Sequence, residues 1–282
     1  MKAKSDTKFF PRHFYLILNI IVFSGFTVLQ FFFFTGIARA ESFVTFQVGG
    51  TIGTTLLEMT GVKNINFPNP PGPGQVREIE VKGVELNESL VVRFKVGHFF
   101  QNHHRNNFGI ELDTVYFRPD SDGQNVTQII NSVPNTGFQL PLDMHVIVVG
   151  FNGLYRFNHF DYAMPYIGIG PTLNVTHVTG SGITGLGPGG TGQGVATPEV
   201  NSTEVGYGAT AKAGIYIPIV DEFGVDLEYK FVYQRLNVDR IRSLQSNVEI
   251  DGISHFITLG FSFRFEVFQQ TLEPAHAGIQ KY

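Results

Sequence analysis

Ile253-Ser254-His255-Phe256-Ile257-Thr258-Leu259-Gly260-Phe261-Ser262-Phe263-Arg264-Phe265 is the stretch that decides the fold. Ile253, His255, Ile257, Leu259, Phe261, Phe263 and Phe265 fall on one face of an extended chain. Ser254, Phe256, Thr258, Gly260, Ser262 and Arg264 fall on the other. Alternation at period two is the signature of a strand, because successive side chains of a strand point to opposite sides. One face is apolar along its whole length and the other collects glycine, hydroxyls and a cation.

Seven earlier segments repeat the pattern, giving eight in all at 43–53, 89–100, 107–117, 143–157, 162–175, 204–217, 223–235 and 252–265. Leu90, Val92, Phe94 and Val96 oppose Val91, Arg93, Lys95 and Gly97, and Phe108, Ile110 and Leu112 oppose Gly109, Glu111 and Asp113. Ala209, Ala211, Ala213 and Ile215 oppose Thr210, Lys212 and Gly214, and Val225, Leu227, Tyr229 and Phe231 oppose Asp226, Glu228 and Lys230. The connections alternate strictly between long and short. The long ones are rich in Gly, Pro and Asn, as in Asn66–Gly74 or Thr179–Gly194, and the short ones are tight and polar, as in Gln101–Asn106. An up-and-down meander of this kind carries all its long loops at one end, as barrels of the outer membrane do.

A soluble barrel and a transmembrane barrel share this meander but are inverses: one buries its apolar face, the other turns it to lipid. The charges favour lipid. A hairpin across 101–106 can set Arg93 opposite Asp113 and Lys95 opposite Glu111, and one across 218–222 can set Lys212 opposite Glu228, with Asp226 and Lys230 on the same face. Pairing of that kind suits a narrow desolvated lumen, where an unpaired ion is costly. Aromatic residues add a second argument. Phe99, Phe100, Phe108, Tyr155, Phe157, Phe160, Tyr162, Tyr216, Phe223, Phe263 and Phe265 gather at the short-turn end, and Tyr116, Tyr207, Phe231 and Tyr233 at the long-loop end. Two such belts bracketing aliphatic middles match the girdles at the two faces of a bilayer. The fold class expected is therefore all-β: an eight-stranded antiparallel up-and-down transmembrane β-barrel with short periplasmic turns and long extracellular loops.

The chain opens as an exported protein does. Lys2, Lys4, Lys8 and Arg12 precede the apolar stretch Phe14–Phe34, and Ala38-Arg39-Ala40 stands before Glu41. A basic start, an apolar middle and an A-x-A ending describe a cleaved signal peptide, with a retained anchor as the alternative reading. Three parts are expected: signal peptide 1–40, barrel 41–265 and a short periplasmic tail 266–282. Past residue 40 the chain carries 15 basic and 23 acidic side chains, a net of −8. That balance gives no basic stripe for nucleic acid. The 282 residues contain no cysteine, which excludes disulfides, thiolate metal sites and a cysteine nucleophile.

The eight alternating segments, the leader and a last strand ending in an outward Phe resemble the OmpA/OmpX-type small bacterial outer-membrane β-barrel family, OmpW-like barrels included. The resemblance covers residues 41–265 and is a pattern, so it implies a fold and a place, the cell outer membrane, with no specific activity. It also implies partners: outer-membrane lipid and lipopolysaccharide, periplasmic chaperones, and the assembly machinery, for which Phe261, Phe263 and Phe265 would form the recognition signal. A monomer is expected. Many relatives end at the terminal Phe, whereas here Glu266–Tyr282 follows.

Eight strands leave an interior just wide enough for side chains to fill. Arg93, Lys95, Glu111, Asp113, Lys212, Asp226, Glu228 and Lys230 are the expected lumen network, structural in role. A narrow path for small apolar molecules would need an apolar upper lumen, and the inward faces read as polar and glycine-rich. A lipid A-modifying hydrolase would need a converging Ser, His and acid. The nearest set is Asp251, Ser254 and His255, but Ser254 and His255 are adjacent on a strand and point apart. His103-His104-Arg105 reads as a solvated turn, and Gly185–Gly194 lacks the Gly-Lys-Ser/Thr ending of a phosphate loop. Asn87-Glu88-Ser89, Asn125-Val126-Thr127, Asn174-Val175-Thr176 and Asn201-Ser202-Thr203 match a glycosylation pattern by chance. No catalytic residue, cofactor or metal is expected. The role expected is structural or surface-interacting, through loops 54–88 and 176–203, the first carrying Met59, Val62, Ile65 and Phe67.

Overall fold

The computed structural model describes residues 40–60, 79–102, 105–130, 133–139, 141–157, 160, 162–181, 183–184, 199–238 and 248–267. The leader up to Arg39, the tail from Phe268, His103-His104, most of the first long loop and Gly185–Gly194 lie outside them. The strands are β1 (Ala40–Thr60), β2 (Ile79–Leu86), β3 (Leu90–Asn102), β4 (Arg105–Phe117), β5 (Asp120–Ser121), β6 (Gln124–Ile130) and β7 (Val133–Gln139). They continue with β8 (Leu142–Arg156), β9 (Met164–Ser181), β10 (Ile183–Thr184), β11 (Glu199–Val220), β12 (Phe223–Val238) and β13 (Val248–Val267). Eight of them, β1, β3, β4, β8, β9, β11, β12 and β13, form an antiparallel ring, closed because β1 pairs with β13 on one edge and β3 on the other.

These eight are the eight alternating segments, but longer. β1, β9, β11 and β13 run for 21, 18, 22 and 20 residues, where about 9–11 suffice to cross a bilayer. The surplus rises beyond the long-loop end. There β1 exchanges β3 for β2 above Thr54, β2 pairs with β6, β6 with β7, and β7 with β10. The segments 54–88 and 176–203, expected as loops, are therefore partly strand: within them lie the end of β1, all of β2, the end of β9, β10 and the start of β11. At the other end Ala40, Glu266 and Val267 are paired, so the barrel reaches one residue before and two after the expected 41–265.

The apolar faces point outward. Phe46, Phe94, Phe151, Ile169, Leu173, Leu227, Leu259 and Phe261 stand exposed around the ring, and the charged faces are buried inside it. An unbroken exposed apolar band of this kind needs lipid to cover it. Two aromatics leave the expected belts: Phe99 and Tyr216 lie on the even-numbered or odd-numbered face that carries the lumen charges, and both are buried. Their neighbours explain it. An inward Phe or Tyr needs a gap opposite, and a Cβ on Gly109 would meet the Phe99 ring at 2.7 Å, while one on Gly224 would meet the Tyr216 ring at 2.5 Å.

The lumen is filled in three levels. Phe43, Phe99, Leu154, Arg156, Tyr216 and Arg264 occupy the periplasmic end, and ionic side chains occupy the middle. The extracellular half holds Leu56, Val91, Val115, Phe117, Met144, Val146, Val148, Val232, Leu236 and Phe256, capped by Val84 and Leu86 of β2. This corrects the expectation of a polar upper lumen in part, since the apolar cluster shares that half with buried Thr54, Asn174, Thr176, Gln234 and Ser254. The segment Met144–Val149 is apolar on both faces apart from His145, so its inward residues do not stand out by alternation.

Candidate functional site

The middle level brings all eight expected charges together. Arg93 and Lys95 come from β3, Glu111 and Asp113 from β4, Lys212 from β11, and Asp226, Glu228 and Lys230 from β12; all are at most 4% exposed. Four cations meet four anions, so the level is neutral. Neutrality matters because a buried ion without a partner costs several kcal/mol.

Arg93 pairs with Asp113 as read off the sequence, but the registers differ from the expected ones. Lys95 stands opposite Asp113 in the β3–β4 register, Arg93 opposite Val115 and Glu111 opposite Gly97. Lys212 stands opposite Lys230, and Glu228 opposite Gly214. Each hairpin is slipped by two residues from the expected pairing, which keeps every side chain on its expected face. The side chains then reach diagonally. Arg93 Nε donates to Asp113 Oδ1 at 2.7 Å, its Nη2 bonds Asp113 Oδ2, and its Nη1 bonds Glu228 Oε1 and reaches Gln47 Oε1 at 3.2 Å. The paired lysines diverge: Lys230 Nζ donates to Asp113 Oδ2 at 2.7 Å, and Lys212 Nζ bonds Glu111 Oε1. Lys95 Nζ donates to Glu228 Oε2 at 2.9 Å and lies 3.3 Å from Asp226 Oδ2. Lys212 crosses the lumen over Gly168, where a Cβ would meet its Cε at 2.8 Å.

Three uncharged residues complete the level without having been singled out in the sequence. Tyr166 places its hydroxyl 2.7 Å from Asp226 Oδ1 and 2.5 Å from Glu228 Oε2. Gln47 Nε2 donates to Asp226 Oδ1 at 2.9 Å, and Asn152 Nδ2 to Glu111 Oε1 at 3.1 Å. Each lies on the inward parity of its strand, which was the available signal. A second buried cluster, also missed, closes the periplasmic end: Arg156 donates through Nη1 and Nη2 to the two oxygens of Glu41, each at 2.7 Å, and Arg264 Nη1 bonds Glu41 Oε1.

Outside the ring, Phe261 and Phe263 face outward at 59% and 48% exposure; Phe261 stacks on Phe223 and Phe263 lies beside Phe265. Ser254 is buried in the lumen, while His255 lies on the outer wall with its Nδ1 2.7 Å from the Tyr229 hydroxyl. The two therefore do not meet. Among the described residues no three His, Asp or Glu side chains converge to hold a metal ion.

The chain is similar at low identity to several solved outer-membrane proteins. Neisserial surface protein A shares 11% identity, covering 80% of this chain and 99% of its own, with a TM-score of 0.40. The outer membrane protein OprG from Pseudomonas aeruginosa shares 10%, covering 82% and 98%, with a TM-score of 0.40. Ail, the attachment invasion locus protein of Yersinia pestis, solved with the heparin analogue sucrose octasulfate, shares 12%, covering 81% and 100%, with a TM-score of 0.36. No curated protein sequence matches the chain. A family model, the outer membrane protein beta-barrel domain, matches residues 26–265. With a closed eight-strand ring, an apolar outer wall and an ionic interior, the chain belongs to the outer-membrane β-barrel family.

Proposed function

We propose that this barrel is a filled, non-catalytic outer-membrane scaffold that presents its extracellular strands for interaction at the cell surface. The buried, charge-balanced middle level carries the reading. Side chains from seven strands of the wall close the lumen there with their charges compensated, so an ion entering it would have to break several charge-assisted bonds. The strand surplus above the membrane supports the surface role, since binding residues are disproportionately held on loops positioned by a rigid scaffold. Processing after Ala40, lipopolysaccharide and lipid as surroundings, and delivery by chaperones to the assembly machinery belong to the same proposal. The mature chain inserted into planar bilayers should give no stable unit conductance. Reproducible conductance steps would overturn the scaffold reading in favour of transport.

A second reading, a narrow passage for small hydrophobic molecules, is favoured by one observation: the extracellular half of the lumen holds an apolar cluster that includes Val115, Phe117 and Phe256. Under it, vesicles carrying the barrel should take up an apolar probe faster than empty ones, and Val115→Asp should abolish the difference. A lipid A-modifying activity has less support, because Ser254 and His255 occupy opposite sides of the wall. Expression should leave lipid A mass unchanged.

A further inference from the structure

We propose that β9 lines a file of bound water molecules that runs inside the lumen from its extracellular end down to Glu111 in the ionic level, and ends there. The ionic level supplies the first reason. Of the eight carboxylate oxygens of Glu111, Asp113, Asp226 and Glu228, seven have a hydrogen-bond partner. The eighth, Glu111 Oε2, is buried without one. Asn152 stands opposite Glu111 in the β4–β8 register and donates its Nδ2 to Glu111 Oε1, which leaves Asn152 Oδ1 buried and unpartnered as well. Turning that amide over would set oxygen against oxygen, so the two acceptors need a donor from outside the pair.

β9 continues the line upward. Its inward residues Thr172, Asn174 and Thr176 are at most 3% exposed. Thr172 Oγ1, Thr176 Oγ1 and both polar atoms of the Asn174 amide are buried without a hydrogen-bond partner. The neighbouring strands explain why. Thr172 stands between Gly150 of β8 and Gly208 of β11, Asn174 between Val148 and Gly206, and Thr176 between Val146 and Glu204. Glycine and valine side chains have nothing to offer, and only Glu204, half-buried at the upper end, is polar. Successive inward residues of one strand lie ~6.8 Å apart, a gap that one bridging water spans and a direct hydrogen bond does not. Buried waters typically make about three hydrogen bonds to groups of this kind, which would otherwise be costly. There is room beside the lowest pair: a Cβ on Gly150 would meet nothing nearer than Asn152 Nδ2 and Thr172 Cγ2, both at 3.5 Å. Lys212 Nζ already bonds Glu111 and the level is neutral, so the guest is uncharged, which selects water over a monovalent cation. The charged side chains beneath close the file, so it ends blind and carries no current.

The test is the sign of a stability change, read by urea unfolding of the folded protein in detergent. In a dry seam the bare hydroxyls are a burden, so Thr172→Val and Thr176→Val would raise the midpoint. Gly150→Ala would raise it too, because its methyl fits in ordinary contact and restricts the unfolded chain. With water in the seam all three should lower the midpoint, by roughly 0.3–1 M urea, the shift expected when a buried hydrogen bond is lost. Nuclear magnetic resonance of the nitrogen-15-labelled protein should show water cross-peaks at the side-chain amides of Asn152 and Asn174. In Gly150→Ala the peak at Asn152 should vanish and the one at Asn174 persist. Should Gly150→Ala not fold, the two Thr→Val variants carry the same sign test. Raised midpoints in these variants would overturn the proposal, as would Asn152 and Asn174 amides without water cross-peaks in wild type. A wild-type midpoint that rises with sodium over choline at matched ionic strength, but not in Gly150→Ala, would overturn the assignment to water in favour of a cation.

Discussion

Asp113 shows what a single residue does in this barrel. It is fully buried and accepts from Arg93 on one side and Lys230 on the other. Asp113→Asn keeps the shape and removes the charge, leaving two cations to share fewer anions. Breaking a buried pair from one side costs about 3–5 kcal/mol, whereas replacing the whole group with apolar residues of similar volume is often neutral. Denaturant unfolding in detergent should therefore show Asp113→Asn well below wild type, and the quadruple change Arg93→Met, Asp113→Leu, Glu228→Leu, Lys230→Met, which leaves Lys95 and Lys212 with Asp226 and Glu111, closer to it. A quadruple variant that loses the sum of its single losses would show that the charges contribute to stability independently of one another. Glycine is the other residue-scale device. At Gly260 a Cβ would come within 1.9 Å of the Phe46 carbonyl oxygen, so the inward face of β13 approaches β1 more closely than any other residue allows.

At the scale of the element, what alternation can and cannot specify becomes visible. Which face of a strand turns to lipid was legible, because a one-residue slip would move every side chain to the wrong side. The register was not, because a slip of two preserves all faces; Lys95 opposite Asp113 and Lys95 opposite Glu111 have identical parity. The extracellular extensions were illegible for a different reason. With water on their outer side they carry no continuous lipid-facing apolar stripe: in Ile79–Leu86 the apolar parity changes at Gly83, from Ile79 and Val81 to Val84 and Leu86, and Glu199–Glu204 is mostly polar. Above the membrane band these strands also depend on ordinary surface chemistry. Arg118 forks onto Asp143, with Nε 2.9 Å from Oδ1, and that hydrogen bond holds the Asp143 carboxyl below its usual range. A carboxyl depressed in the folded state stabilises above its unfolded value, near 3.9, and loses that contribution as pH falls through its folded value. The pair is exposed, so the gain is about 0.2–1 kcal/mol. Wild type should exceed Asp143→Asn by that margin at pH 7, and the two should converge in strong acid. A gap unchanged at low pH would exclude the ion pair as its cause.

For the whole molecule, the decisive property is that the wall is a cylinder between two solvents, apolar outside and ionic inside. The cost of an outward charge should then depend on its height and on nothing else. Leu259 lies between Val48 and Leu227 in the sheet, one residue from the inward Thr258 of the middle level, with its side chain 52% exposed to the outside. Tyr162 is outward too, more exposed at 74%, but sits below the start of β9 at the periplasmic rim. An arginine at mid-bilayer costs about 2–4 kcal/mol and one near the interface about 0–1. In a bilayer, Leu259→Arg should lose most of that larger amount by reversible denaturant unfolding, and Tyr162→Arg almost none. In lipid-free detergent micelles the contrast should shrink, because a micelle deforms around the guanidinium and admits water. A water-soluble barrel with the same strands would reverse the order of argument: Leu259 would be core, and its replacement would be as damaging without lipid as with it.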